Sequence, residues 1–258
     1  MTVVLQAAAV ARHELRVLRQ DPFPLILLVF MPLVLTAFMQ NAFRSVLVEE
    51  GHAGATGAEQ AVPGMSVMFA FFLVGTVGFA FYREHGWGTW ERLRATTTPP
   101  AAVIAGKVAA PIVICMAQLT ALFTIGVVLF GLSIAGSVAG LVVVGFAFAC
   151  SLVALGVCLV SLTRTIMQMN ALANVGALVL AGLGGALVPL GALPGWVQAI
   201  GPSVPSYWAM RGFQDAILTE SSLGTAVLPS AVLLAFAAAF AGVAMLRFRF
   251  EETKTSWA

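Results

Sequence analysis

Charge is what this sequence has least of. Only 9% of its residues are Asp, Glu, Lys or Arg, whereas a soluble domain carries roughly a quarter. With 60% of the residues hydrophobic and a mean hydropathy of +0.98, so much apolar surface suits a bilayer and not water. The three cysteines, Cys115, Cys150 and Cys158, all fall inside apolar runs. An odd count placed there excludes a disulfide framework and reads as small packing residues. His13, His52 and His85 are far apart and lack ligand-spaced Cys or carboxylate neighbours, which speaks against a metal centre. A net charge of +2 with no basic run gives nucleic acid nothing to bind.

Catalytic signatures are equally scarce. The only Gly-Lys pair, Gly106-Lys107, is followed by Val108, so no G-x-x-x-x-G-K-[ST] phosphate loop is present. Neither a G-x-S-x-G elbow nor an H-E-x-x-H helix occurs. The start of the chain is charged and helix-patterned, without a short apolar core ending in small residues, so the first span is expected to act as its own targeting signal.

What the chain has is long apolar runs. A helix needs about 20 such residues to cross the hydrocarbon core. Six stretches qualify: residues 23–42, 64–82, 108–130, 138–162, 171–190 and 226–246. Gly182, Gly184 and Gly185 loosen the fifth, and Pro24 and Pro32 in the first are tolerable where neighbours satisfy the freed carbonyls. As drawn, the six contain no Asp, Glu, Lys, Arg or His. Ion-coupled carriers need an ionisable group at that depth, so a secondary carrier is disfavoured and any energy must come from a partner.

Eleven of the 13 Lys and Arg residues fall in one set of loops, leaving only Arg44 and Arg211 in the other. By the positive-inside rule, both termini are then cytoplasmic and the number of spans is even. Residues 1–21 read as an interfacial helix: Val4, Ala8, Ala11, Leu15 and Leu18 form an apolar stripe, and Arg12, Arg16 and Arg19 a basic one suited to anionic headgroups. The connection from Phe43 to Pro63 reads as a flexible outer loop. Residues 191–225 are too apolar for a solvated loop and too broken by Pro194, Pro202 and Pro205 to span. Short re-entrant helices in the outer leaflet suit them, with Trp196, Tyr207 and Trp208 at the headgroup level. The fold class expected is therefore all-α integral membrane, as one transmembrane domain.

The inner loop 83–100 holds a short mixed-charge helix between glycines and prolines, with Trp87 and Trp90 beside Arg83, Arg92 and Arg94. Trp and Arg are enriched at binding hot spots, although interfacial tryptophans in a solvated loop give the same composition.

With these elements in place, the sequence resembles the ABC-2-type transporter permeases, membrane subunits of ATP-driven exporters. After their second span these carry an Arg-Glu…Gly-Thr-x-Glu-Arg-Leu-Arg…Pro segment, matched by Arg83, Glu84, Gly88, Thr89, Glu91, Arg92, Leu93, Arg94 and Pro99. After the fifth they carry a Pro-x(4)-Pro-x-Trp-x-Gln…Pro-x-x-Tyr…Arg segment, matched by Pro189, Pro194, Trp196, Gln198, Pro205, Tyr207 and Arg211. Trp90 departs from the pattern, standing where many relatives have an aliphatic residue.

The resemblance implies that 83–94 is a coupling helix seated in a separate ATP-binding subunit. Glu84 and Glu91 would meet basic residues there, Trp87 and Trp90 would fill its groove, and the helix carrying Arg12, Arg16 and Arg19 would brace the same partner. It also implies two ATPase copies, which bind ATP and Mg while this chain binds no cofactor. A second permease, identical or related, would complete the assembly. The export path would lie between the first, second and fifth spans. Phe69, Phe72, Thr76 and Phe79 share one helical face there, an arrangement that suits a greasy conduit, although such stripes more often face lipid or pack in a core. Asn170 and Asn174 line the inner vestibule or bond a neighbouring helix. Pro194, Trp196, Pro205 and Tyr207 would close the outer exit.

The cargo expected is a hydrophobic or amphipathic compound: drug-like, a natural product or a lipid. Arg outnumbers Lys 11 to 2 among abundant Ala, Val and Gly, which suggests a GC-rich bacterium and its cytoplasmic membrane. Polysaccharide export uses a similar permease, and a membrane scaffold without a path would share the topology.

Overall fold

The computed structural model describes residues 3–49, 51, 54–96, 98–219 and 223–247, with the side chains of Trp90, Leu93 and Arg94 outside the described set. Helices run in the order α1 (Val3–Gln20), α2 (Phe23–Glu49), α3 (Ala58–Ala70), α4 (Phe72–Gly86), α5 (Thr89–Arg94), α6 (Pro100–Phe130), α7 (Val138–Leu162), α8 (Ile166–Leu183), α9 (Gly195–Ile200), α10 (Pro205–Leu218) and α11 (Val227–Arg247). Among the described residues, six segments are long and apolar enough to cross a membrane: Phe23–Glu49, Ala58–Gly86, Pro100–Phe130, Val138–Leu162, Ile166–Leu183 and Leu223–Arg247. This is a multi-pass membrane protein with the expected six spans.

Local chemistry sets the helix ends. Asp21 Oδ1 accepts from the Phe23 amide at the start of α2, Ser137 Oγ from Gly140 at the start of α7, and Thr165 Oγ1 from Gln168 at the start of α8. Each satisfies an amide that has no partner inside its helix. Pro100 opens α6, where a missing N–H is harmless. The fifth span stops at Leu183 rather than running on to Leu190. Gly184 and Gly185 turn the chain there, with the Ala186 amide returning to the Ala181 carbonyl at 3.0 Å.

Helices α3, α4 and α7 form the buried spine, while α2, α8 and α11 keep wide apolar faces uncovered. Without a hydrophobic drive between helices in lipid, close packing holds such a bundle together. Gly78 is covered by Met169 of α8, and Gly156 of α7 by Val77. At the end distant from α1, the segment from α9 to α10 folds back on the bundle. Gln60 Nε2 donates to the Gly185 carbonyl at 2.9 Å, and Gln214 donates to Gln60.

Three expectations require correction. The second span runs from Ala58 to Gly86 rather than from Gly64 to Tyr82, and the third begins at Pro100 rather than Val108, so Glu59, Arg83, Glu84 and Lys107 lie within spanning helices. They are admitted because each is hydrogen-bonded there. Glu59, for instance, accepts from the amides of Thr56 and Gly57 at 3.0 Å. The connection read as an exposed loop from Phe43 is largely helix, α2 continuing to Glu49 and α3 starting at Ala58. Lastly, the apolar stripe of α1 is divided: Val4 and Ala8 are exposed, whereas Leu15 and Leu18 pack against the core.

Candidate functional site: a buried charge cluster beneath an exposed tryptophan

Helix α1 lies along the first turns of α6, and Gly106 is what allows the approach. A Cβ there would stand 2.5 Å from Cβ of Val10 and 2.6 Å from the Ala7 carbonyl oxygen. The contact face of α1 continues to Glu14, the one buried residue of that helix. Glu14 is 3% exposed and Lys107, one residue beyond Gly106, is 1% exposed.

Four charges meet at this point. Glu14 Oε2 accepts from Arg83 Nη2 at 2.7 Å, and Glu14 Oε1 from Lys107 Nζ at 2.7 Å. Lys107 also donates to Glu84 Oε1 at 3.1 Å and to the Ala80 carbonyl at 3.0 Å. Two acids face two bases, so the cluster is neutral as a whole. In such surroundings, unpaired charge is costly and paired, hydrogen-bonded charge is tolerated.

From the cluster, α4 leads outward to the surface. The Arg83 guanidinium carbon lies 5.8 Å from the Phe79 ring centre and 5.4 Å from that of Trp87. These residues are one turn apart on one face of α4 and its cap. Trp87 is 65% exposed and Phe79 48%. The chain then turns at Gly88, whose φ of +65° lies in the left-handed region that glycine enters without strain. Helix α5 follows, and Thr89 Oγ1 donates back to the carbonyl and carboxylate of Glu84. The turn is thus fastened to the same acid that pairs with Lys107.

The sequence-predicted residues divide accordingly. Arg83 and Glu84 are buried in the cluster, while Trp87, Glu91 and Arg92 are exposed above it. The side chains of Trp90, Leu93 and Arg94 lie outside the described residues. Arg12, Arg16 and Arg19 are exposed on α1. Phe69, Phe72 and Thr76 are half-buried and continue the line from Phe79 along α3 and α4. The Phe69 and Phe72 rings pack with centres 5.4 Å apart. Asn170 and Asn174 are exposed on α8, and Asn170 faces Gly75, so the two sets adjoin on one surface. At the far end Pro194 and Trp196 are exposed, Pro205 is buried and Tyr207 is half-buried beside Trp208.

Sequence reading missed Glu14 and Lys107. The available signal was a lone acid on the packing face of a helix whose other charges are basic, and a lone lysine inside an apolar helix. Two stranded opposite charges near one membrane face have reason to pair.

Residues 5–218 match the model of a family described as the ABC-2 type transporter. No curated protein matches the chain.

Proposed function

Because the chain belongs to the ABC-2 type transporter family, the membrane domain of ABC transporters, we propose that it is the permease subunit of an exporter driven by ATP on a separate chain. The end of the bundle carrying α1 and the α4–α5 turn faces the cytoplasm, in line with the bias of Lys and Arg toward that side. Residues 195–218 sit toward the outer face of a bacterial cytoplasmic membrane. Two copies of this chain, or this chain and a related permease, stand over two ATP-binding subunits, which hold ATP and Mg. The cargo is hydrophobic or amphipathic, and it moves outward along Phe69, Phe72, Thr76 and Phe79 with Asn170 and Asn174 beside them.

The observation that carries this reading is the α4–α5 turn. It presents Trp87, Glu91 and Arg92 outward while its base is fixed by Glu84 and Arg83 inside the bundle. An exposed aromatic on a turn bonded back to the bundle is suited to fill a partner's groove, and its buried base is suited to pass on the partner's movement. Of the two glutamates expected to meet the ATPase, only Glu91 is presented for it. Glu84 serves from below.

Affinity capture of the tagged chain from its native membrane tests the proposal. An ATP-binding subunit should copurify, hydrolyse ATP in the complex, and be lost when Trp87 and Glu91 are both replaced by Ala. Capture of no such subunit, together with no ATPase stimulated by the chain, contradicts the proposal and leaves a scaffold without a path.

A further inference from the structure

The four buried charges can be divided between moving parts in only one way that leaves both parts neutral. Glu14 belongs to α1, Lys107 to α6, and Arg83 and Glu84 to α4. Parting α1 from the rest would strand an acid on one side and a net positive charge on the other. Parting α6 would strand Lys107. Parting α4, with α5, from α1 and α6 leaves Glu14 with Lys107 on one side and Arg83 with Glu84 on the other.

Other observations place the seam on the same line. Helix α1 is joined to α6 both by the Glu14–Lys107 pair at 2.7 Å and by the close approach at Gly106. Glu84 has its own partner on the α4–α5 side in Thr89. Arg83 has its stacking partners there too, in Phe79 and Trp87. Arg83 Nε has no hydrogen-bond partner among the described residues although the side chain is buried. A small cavity lies on the seam, lined by Glu14 and Leu18 of α1, Thr76 and Arg83 of α4, and Lys107 of α6.

We propose that this cluster is a releasable latch. It closes α4–α5 against a unit made of α1 and α6, and it opens along that seam when the ATPase acts on the α4–α5 turn. Glu14 is the positioning residue: closed, it holds both cations, and open, it stays with Lys107 and keeps the α1–α6 side neutral. The latch rests on the exporter reading, since the ATPase supplies the force. Neutral halves matter because separated net charges at that depth carry the cost of desolvation without repayment.

The test uses the permease–ATPase complex with Cys115, Cys150 and Cys158 replaced by Ala and spin labels at introduced cysteines. Label pairs Arg16–Ala95 and Arg16–Ala105 are measured by electron–electron resonance, nucleotide-free and trapped with ATP and vanadate. Trapping should shift the Arg16–Ala95 distance, across the seam, and leave Arg16–Ala105, within one unit, unchanged. Two double variants then decide the role of charge. Glu14→Gln with Lys107→Met and Glu14→Gln with Arg83→Met each remove one acid and one base. The first leaves both halves neutral and should keep the shift; the second strands Lys107 and Glu84 on opposite sides and should lose it.

A shift on Arg16–Ala105, or the same behaviour in both variants, overturns the latch and leaves the exporter reading standing. A complex that traps no nucleotide brings down both.

Discussion

Lys107→Met should destabilise the folded protein by about 3–5 kcal/mol, the usual consequence of removing one partner from a buried ionic group. Lys107 lies between two carboxylates, bonded to Glu14 at 2.7 Å and to Glu84 at 3.1 Å. Without it, two acids face Arg83 alone in a setting almost closed to water. The apolar side chain fills the space but leaves the acids underpaired. Adding Glu14→Gln restores the balance of one acid and one base, so the double variant should be closer to wild type than Lys107→Met. That ordering is characteristic of coupled charges and opposite to the additivity of independent sites. Unfolding by SDS titration in mixed micelles measures both variants, and equal or additive losses would remove the cluster from the account.

Gly64→Leu should be the second severe substitution. A Cβ at Gly64 would stand 2.2 Å from the Ala186 carbonyl oxygen, and backbone on both sides leaves nothing to swing away. Overpacking of this kind costs about 1–3 kcal/mol or more. Here it also pushes α3 off the turn at Gly185, where Gln60 donates to the carbonyl. The expected result is a lower SDS midpoint together with increased labelling of a cysteine introduced at Ala186, a residue fully buried in the intact protein. A lower midpoint with Ala186 still protected would mean that the damage lies elsewhere in the bundle.

Both substitutions fall where the sequence was hardest to read, and for one reason. Span number follows from run length and hydropathy, which are local, so the six helices were legible. Trp87 and the glycine-bounded turn that carries it were legible from composition within one loop. Glu14 finds Arg83 across 69 positions and Lys107 across 93, and Gln60 finds Gln214 across 154. No periodicity reports a partner at that separation. The same blindness moved the ends of the second and third spans. A window that stops at a charge has no way to know that the charge is paired inside the bundle, so it ended the second span at Tyr82 and began the third only after Lys107. The apolar stripe of α1 was visible, but what it packs against was not: Leu15 and Leu18 pack, half-buried, against the protein core.

The family assignment places this chain among transporter membrane domains, and the cluster gives the α4–α5 turn a fixed base. We propose above all that this turn is the main seat of the ATPase, with α1 bracing the same partner. A photoreactive amino acid at Trp87 in cells, with a second at the equally exposed Trp196 near the opposite end as control, tests it most directly. The account predicts a crosslinked product containing a P-loop ATPase from position 87 and none from position 196. No ATPase adduct at position 87, or equal adducts at both positions, would contradict it.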